Sequence, residues 1–201
     1  MMAATPGART RILAVLAAFL AGALALFAVV WVTLPTEATK PSSVGGPFRL
    51  VDQNGRAVSD QDFKGKPFIV FFGFTNCPDI CPTTLFEMSE VLKRLGPDAD
   101  RTAALFISVD PERDTPDKLK DYLSSFHARI FGLTGTPEEI AKVEKEYRVY
   151  AKKVPLKDGD YTMDHTALIY LMDRDGKFVS PFNLKQSPTD AAADLKRYIG
   201  S

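Results

Sequence analysis

Hydrophobic and polar positions divide the chain into two regimes. From Ile12 to Leu34 the sequence is an unbroken run of 23 uncharged residues. A helix of that length rises roughly 34 Å, enough for a bilayer core of about 30 Å. Beyond about residue 47, short apolar runs alternate with stretches in which apolar residues recur every three or four positions. Phe68 to Phe74 (FIVFFGF) and Ala103 to Val109 (AALFISV) are rich in β-branched and aromatic residues. Both are predicted as strands buried on both faces. Between them Leu85, Met88, Val91, Leu92 and Leu95 mark one face of a helix, with Pro82 in its first turn and Gly96-Pro97 as its stop.

The same reading gives a short strand over Phe48–Val51, followed by an Asn54-Gly55 turn. It gives a helix capped by Asp114 or Thr115 and reaching Phe126, then a strand over Ile130–Leu133. Thr136-Pro137-Glu138-Glu139 is a capping-box pattern opening a helix to about Tyr147. Strands follow over Tyr150–Leu156 and Thr166–Met172. Asp175-Gly176 turns the chain back through Phe178–Phe182, and a helix over Asp190–Ile199 closes it. There is no internal repeat. Alternating strands and helices predict an α/β domain, and the late hairpin makes its central sheet mixed.

The apolar run changes the picture of where this domain works. Arg9 and Arg11 precede it without any acidic residue, while Glu37 and Lys40 follow and cancel. The positive-inside rule then places residues 1–11 in the cytoplasm, residues 12–34 as a transmembrane anchor, and the remainder across the membrane. Trp31 falls near the outer end, where an aromatic ring favours the interface. A cleaved signal peptide is the competing reading, although its apolar region is usually about 7 to 15 residues. Both readings export the domain. A bacterial inner membrane with the domain in the periplasm is the simplest placement. Residues 35–47, rich in Pro, Ser, Thr and Gly, read as a linker. Residues 48–201 form one domain of ordinary size.

Composition excludes more than it assigns. Lys plus Arg is 25 and Asp plus Glu is 25, so there is no basic excess to displace counterions from nucleic acid. The two cysteines, Cys77 and Cys81, fall within five residues. A bridge across so short a loop constrains little of the unfolded chain, so the pair points to redox or metal chemistry. At a strand-to-helix turn, free backbone N–H groups and the positive helix end stabilise thiolate. If one helical turn held both cysteines, their i, i+4 spacing would set both sulfurs on one face. Two cysteines alone complete neither a structural zinc site nor an iron–sulfur cluster. Of the two histidines, His127 follows a helix end and is expected to be solvated there. His165 opens the Thr166–Met172 strand, where a satisfied structural histidine and a ligand both remain open.

Three segments carry a resemblance. Phe71 to Pro82 (FFGFTNCPDICP) looks like the signature of the Sco (SenC/PrrC) copper-chaperone family. Ser108 to Pro116 (SVDPERDTP) resembles that family's second motif, and Asp164-His165-Thr166 with the hairpin at Asp173–Gly176 resembles its third. The match runs from about Gly46 to Ile199 with the motifs in the family's order. It implies a thioredoxin-like fold in which His165 stands beside the cysteine pair. It implies copper, as Cu(I) or Cu(II), held by Cys77, Cys81 and His165. Asp164 would support the site, with solvent contact at the strand end as the alternative. Met163 is expected to pack, and Asp110 and Asp114 to shape a loop and cap a helix. The implied function is a metallochaperone rather than an enzyme. It would deliver copper to the dinuclear copper (CuA) site of cytochrome c oxidase or keep that site reduced. Its partners would be the copper-bearing oxidase subunit, a periplasmic copper donor and, through residues 12–34, the lipid bilayer. A thiol–disulfide oxidoreductase using Cys77 as nucleophile and Cys81 as resolving thiol is the alternative, as is a redox or copper sensor. The three residues between the cysteines depart from the Cys-X-X-Cys of thioredoxin-type enzymes.

Overall fold

The computed structural model describes residues 6–33, 44–157 and 159–200. Most of the expected linker and the first five residues of the expected cytoplasmic segment lie outside that range. The chain divides into two units, residues 1–42 and 43–201.

The first unit contains helix α1 (Pro6–Thr33). Its span Thr10–Phe27 has no buried side chains and is long and apolar enough to cross a membrane. A long span that is apolar on every side with its side chains exposed needs an apolar solvent, so α1 fits a membrane anchor.

The second unit is built on a seven-stranded mixed sheet in the order β2-β1-β5-β4-β3-β8-β9. Its strands are β1 (Arg49–Asp52), β2 (Ala57–Ser59), β3 (Phe68–Gly73), β4 (Ala103–Ser108), β5 (Ile130–Thr134), β8 (Ile169–Met172) and β9 (Phe178–Pro181). β3, β4 and β5 are parallel, with Phe71 opposite Phe106 and Phe106 opposite Gly132. β1 lies antiparallel to β5, and β8 antiparallel to β3. Every residue of β3 and β4 is buried, which is why their sequences show no alternation.

The helices are α2 (Ile80–Leu95), α3 (Pro116–Leu123), α4 (Pro137–Tyr147) and α5 (Pro188–Ile199). The crossovers β3-α2-β4 and β4-α3-β5 step the same way across the sheet, and the right-handed rule for such units puts α2 and α3 on one face. Phe71, Phe106 and Tyr122 form a chain of ring contacts on that face. On the other face Phe72, Tyr147 of α4 and Tyr170 are in mutual ring contact. The Thr136 capping box forms as expected: Thr136 Oγ1 accepts from the Glu139 N–H, and the Thr136 N–H donates to the Glu139 carboxylate. Thr115 caps α3 by accepting from the Lys118 N–H, and that helix stops at Leu123 rather than Phe126. α5 starts at Pro188, capped by Ser187.

The remaining strands form a separate two-stranded hairpin, β6 (Ala151–Pro155) and β7 (Tyr161–His165). The Thr166–Met172 expectation is corrected accordingly. His165 ends β7 instead of opening the buried strand, and residues 166–168 connect it to β8 at Ile169.

Candidate functional site

β3 ends at Gly73, and the chain turns once before α2 begins at Ile80. Cys77 lies in that turn, and its N–H donates to the Phe74 carbonyl at 3.3 Å. The cysteines therefore do not share a helical turn; only Cys81 is helical. Even so, the Cys81 N–H donates to Cys77 Sγ at 3.4 Å. Asp79, the residue at the N-cap position, makes no side-chain cap, so the Cys77 sulfur receives one of the helix's free donors.

Cys81 is fully buried whereas Cys77 is half-buried, and both are free thiols. Burial pushes the Cys81 thiol far above its ordinary range, and the neighbouring Cys77 adds to the shift. The sulfur lies against the end of β3 because Gly73 has no side chain. A Cβ there would stand 2.8 Å from Cys81 Sγ and 2.6 Å from the Phe106 ring.

His165 approaches from the hairpin. Its Nε2 lies 3.9 Å from Cys81 Sγ across 84 residues of sequence. The ring meets Phe74 edge-on at 5.8 Å and Phe71 at 6.5 Å. Nδ1 lies 3.1 Å from the Thr166 carbonyl, which assigns its proton there and leaves the Nε2 lone pair toward the sulfur. Two ligands each about 2 Å from a shared ion stand roughly 3–4 Å apart, so the Cys81–His165 spacing suits a common ion. Among the described residues no group of three His, Cys, Asp or Glu side chains stands close enough together to hold a metal ion, and the Cys81–His165 pair is the part of the donor set already in place. Two soft sulfurs and one imidazole suit a soft or borderline transition-metal ion. Without an ion, the same two thiols are a dithiol that oxidation can join.

The second motif supplies no donor. It braces the site from the loop between β4 and α3. Asp114 is fully buried and accepts from the Thr75 N–H at 3.0 Å, Thr75 Oγ1 at 2.6 Å and Ser108 Oγ at 2.7 Å. That pins the turn carrying Cys77. Asp110, also buried, accepts from the Tyr161 hydroxyl at 2.8 Å and from Arg113 Nε. Burial and that hydrogen bond push the Tyr161 phenol up to about 12. Thr75, Ser108, Arg113 and Tyr161 are the supporting residues that sequence reasoning missed. Two aspartates in a loop after a buried strand signalled the brace, but nothing signalled Tyr161, which is 51 residues from Asp110.

Met163 packs on the core as expected, and Asp164 is exposed. His127 is corrected. It lies half-buried in the turn before β5, where its Nδ1 accepts from the Arg129 N–H. Burial, with Lys93 and Arg129 nearby, lowers its pKa, so it is a neutral acceptor rather than a charged group at a helix end.

Comparison with known proteins matches residues 36–200 to a family model described as SCO1/SenC. A "SCO2-like protein" from Rickettsia felis is 41% identical over 155 residues, covering 76% of each chain. The structure of Bradyrhizobium japonicum ScoI with copper bound is 70% identical with a TM-score of 0.76, covering 78% of this chain and 99% of that one. BsSco, a protein described with a disulfide switch as a member of the Sco family of cytochrome c oxidase assembly proteins, is 28% identical with a TM-score of 0.63. That match covers 80% of this chain and 96% of BsSco.

Proposed function

The chain belongs to the SCO1/SenC family, and from that premise we propose that it is a membrane-anchored copper chaperone of cytochrome c oxidase assembly. Copper is its cargo, held by Cys77, Cys81 and His165. The observation that carries this reading is the 3.9 Å approach of His165 Nε2 to Cys81 Sγ, which adds a nitrogen donor to a dithiol. Two sulfurs suit Cu(I), and the imidazole also serves Cu(II). Cys77 and His165 are both half-buried whereas Cys81 is enclosed, so transfer to the copper-bearing oxidase subunit starts by exchange at one of those two donors. A periplasmic donor loads the site from the same side. Residues 12–34 hold the protein in the inner membrane, with residues 1–11 in the cytoplasm, residues 35–47 as linker and residues 48–201 in the periplasm. The uncharged stretch of α1 from Ile12 onward, with Arg9 and Arg11 in the turns before it, supports that orientation.

The test is Cu(I) loading of the reduced full chain in detergent, by competition titration and X-ray absorption. We expect two sulfur ligands and one nitrogen, with affinity at least about tenfold weaker in His165→Ala, the scale of losing one ligand or its support. A spectrum without sulfur, or an unchanged affinity in His165→Ala, refutes the ligand set.

A second reading has its own observation in the contrast between a half-buried Cys77 and a fully buried Cys81. In thiol–disulfide exchange Cys77 would attack and Cys81 would resolve. Reductase turnover that survives His165→Ala but not Cys77→Ser would favour it over the chaperone.

A further inference from the structure

The hairpin that carries His165 has little to hold it. Among the described residues β6 and β7 pair only with each other, and their residues are half-buried or exposed. An isolated two-stranded hairpin is marginal in water at best. Yet His165 must be fixed to within a fraction of an ångström of its place for a third donor to count.

At the His165 end, the Thr166 N–H donates to the Tyr150 carbonyl, and the Tyr150 N–H donates to Thr166 Oγ1. Those bonds are internal to the hairpin and its base. His165 meets the main body there through its ring contacts with Phe71 and Phe74, and Met163 packs on the core, but the charged and hydrogen-bonding side chains that tie β7 to the β4–α3 loop lie at its other end. Tyr161 donates its hydroxyl proton to the buried Asp110 at 2.8 Å. Arg113 Nη1 donates to the Tyr161 carbonyl at 2.8 Å and to Asp160 Oδ1 at 3.1 Å. The Arg113 guanidinium also stacks 3.7 Å from the centroid of the Tyr161 ring, and Lys153 Nζ lies 4.7 Å from the same centroid. Lys153 in turn pairs with Glu112 of the same loop. Asp110 is held from below, since its N–H donates to Ser108 Oγ, whose hydroxyl donates to Asp114. Asp114 is the carboxylate that pins Thr75 in the cysteine turn. One loop thus grips both halves of the donor set.

Tyr161 and His165 stand four residues apart on one strand, so their side chains leave the same face. A clamp at Tyr161 therefore sets the height of that face at His165. We propose that Arg113 and Tyr161, neither of them a metal donor, are positioning residues: they latch the β6–β7 hairpin onto the loop between β4 and α3 and so hold His165 beside the cysteine pair. The inference rests on the copper ligand set proposed above. With the latch broken, the site keeps its two sulfurs and loses the pre-set nitrogen.

The test uses the full chain in detergent with Tyr161→Phe, Arg113→Ala, His165→Ala, and each of the first two combined with His165→Ala. Hydrogen exchange of the copper-free protein reports the latch directly. Amides of Tyr161–Thr166 should exchange about tenfold faster in Tyr161→Phe, the scale of one hydrogen bond to a charged group. Protection in β3 and β4 should stay as in wild type. Cu(I) titration should show binding weakened about tenfold in Tyr161→Phe and more in Arg113→Ala. X-ray absorption should show the nitrogen contribution reduced and both sulfurs kept. In the His165→Ala background neither substitution should weaken binding further, because a positioning residue acts only through what it positions. Equal effects in both backgrounds, or a hairpin equally protected with and without the Tyr161 hydroxyl, overturn the inference while the ligand set stands. If His165→Ala alone leaves affinity unchanged, the ligand set falls instead, and the inference falls with it even if the exchange data show a latch.

Discussion

Replacing Gly73 by alanine places one methyl group where the structure has no room for it. The new Cβ would stand 2.6 Å from the Phe106 ring and 2.8 Å from Cys81 Sγ. Neither neighbour has an easy retreat. Phe106 is fully buried, with the Phe71 and Tyr122 rings each about 6.0 Å away. Cys81 is fully buried in the first turn of α2. The backbone at Gly73 is an ordinary strand paired with Ser108, so the cost is steric and not conformational. Adding a methylene to a packed core costs about 1–3 kcal/mol. For a domain of this size that lowers the melting temperature by roughly 3–9 °C. The sulfur should also be displaced from His165, so Gly73→Ala should bind Cu(I) more weakly than its lost stability explains. The assay is thermal unfolding of the full chain in detergent, followed by near-ultraviolet circular dichroism, beside a Cu(I) titration. Gly200→Ala is the control, because the nearest atom to its Cβ would be the Lys196 carbonyl oxygen at an ordinary 3.9 Å. A Gly73→Ala protein within about 0.5 kcal/mol of wild type, the range of a neutral surface change, would refute the steric argument.

Two further outcomes follow from burial. Alkylation of the reduced protein at pH 8 should modify Cys77 at least about tenfold faster than Cys81, because Cys81 is enclosed and burial holds its thiol protonated; equal rates by mass spectrometry would contradict the site geometry. Burial raises the Glu144 carboxyl from 4.5 to about 7, so the folded state keeps a proton that the unfolded chain releases. The protein should lose stability as pH rises through that window, by about 1 kcal/mol once the water reaching a half-buried carboxyl is allowed for. Glu144→Gln should remove that loss, and denaturation midpoints at pH 5 and pH 8 that fall equally in both proteins would refute it.

The elements that sequence reading placed well are those whose local chemistry is strong. β3 and β4 show unbroken apolar runs because both faces are buried, and α4 opens at Thr136 because a capping box satisfies its first donors locally. The elements it misplaced lack such a signal. Tyr161-Thr162-Met163-Asp164-His165 mixes polar and apolar residues because its hairpin is half-buried, so the pattern predicts no strand there and sets His165 at the start of the run that follows. The cap of α3 had two local candidates, Asp114 and Thr115. The choice fell to Thr115 because Asp114 is engaged by Thr75, 39 residues away. His127 is expected at a helix end because the pattern draws that helix to Phe126; the helix ends at Leu123, and the half-buried histidine instead accepts from the Arg129 N–H in the turn that follows.

By itself the sequence determined the apolar N-terminal helix, the alternation of strands and helices, and the placing of two cysteines at a strand-to-helix turn. All of these depend on neighbours a few residues apart, where period, caps and turn residues act directly. The motifs, through a family resemblance, also named His165. Only the tertiary structure decided how these donors meet. Gly73 admits the Cys81 sulfur to the sheet end, Asp114 holds the cysteine turn, and Asp110 with Arg113 and Tyr161 holds the hairpin that delivers His165. Those contacts join residues 8 to 84 positions apart. Such pairs leave no periodic trace in a chain, because their partners become neighbours only when the sheet has set the distance between them.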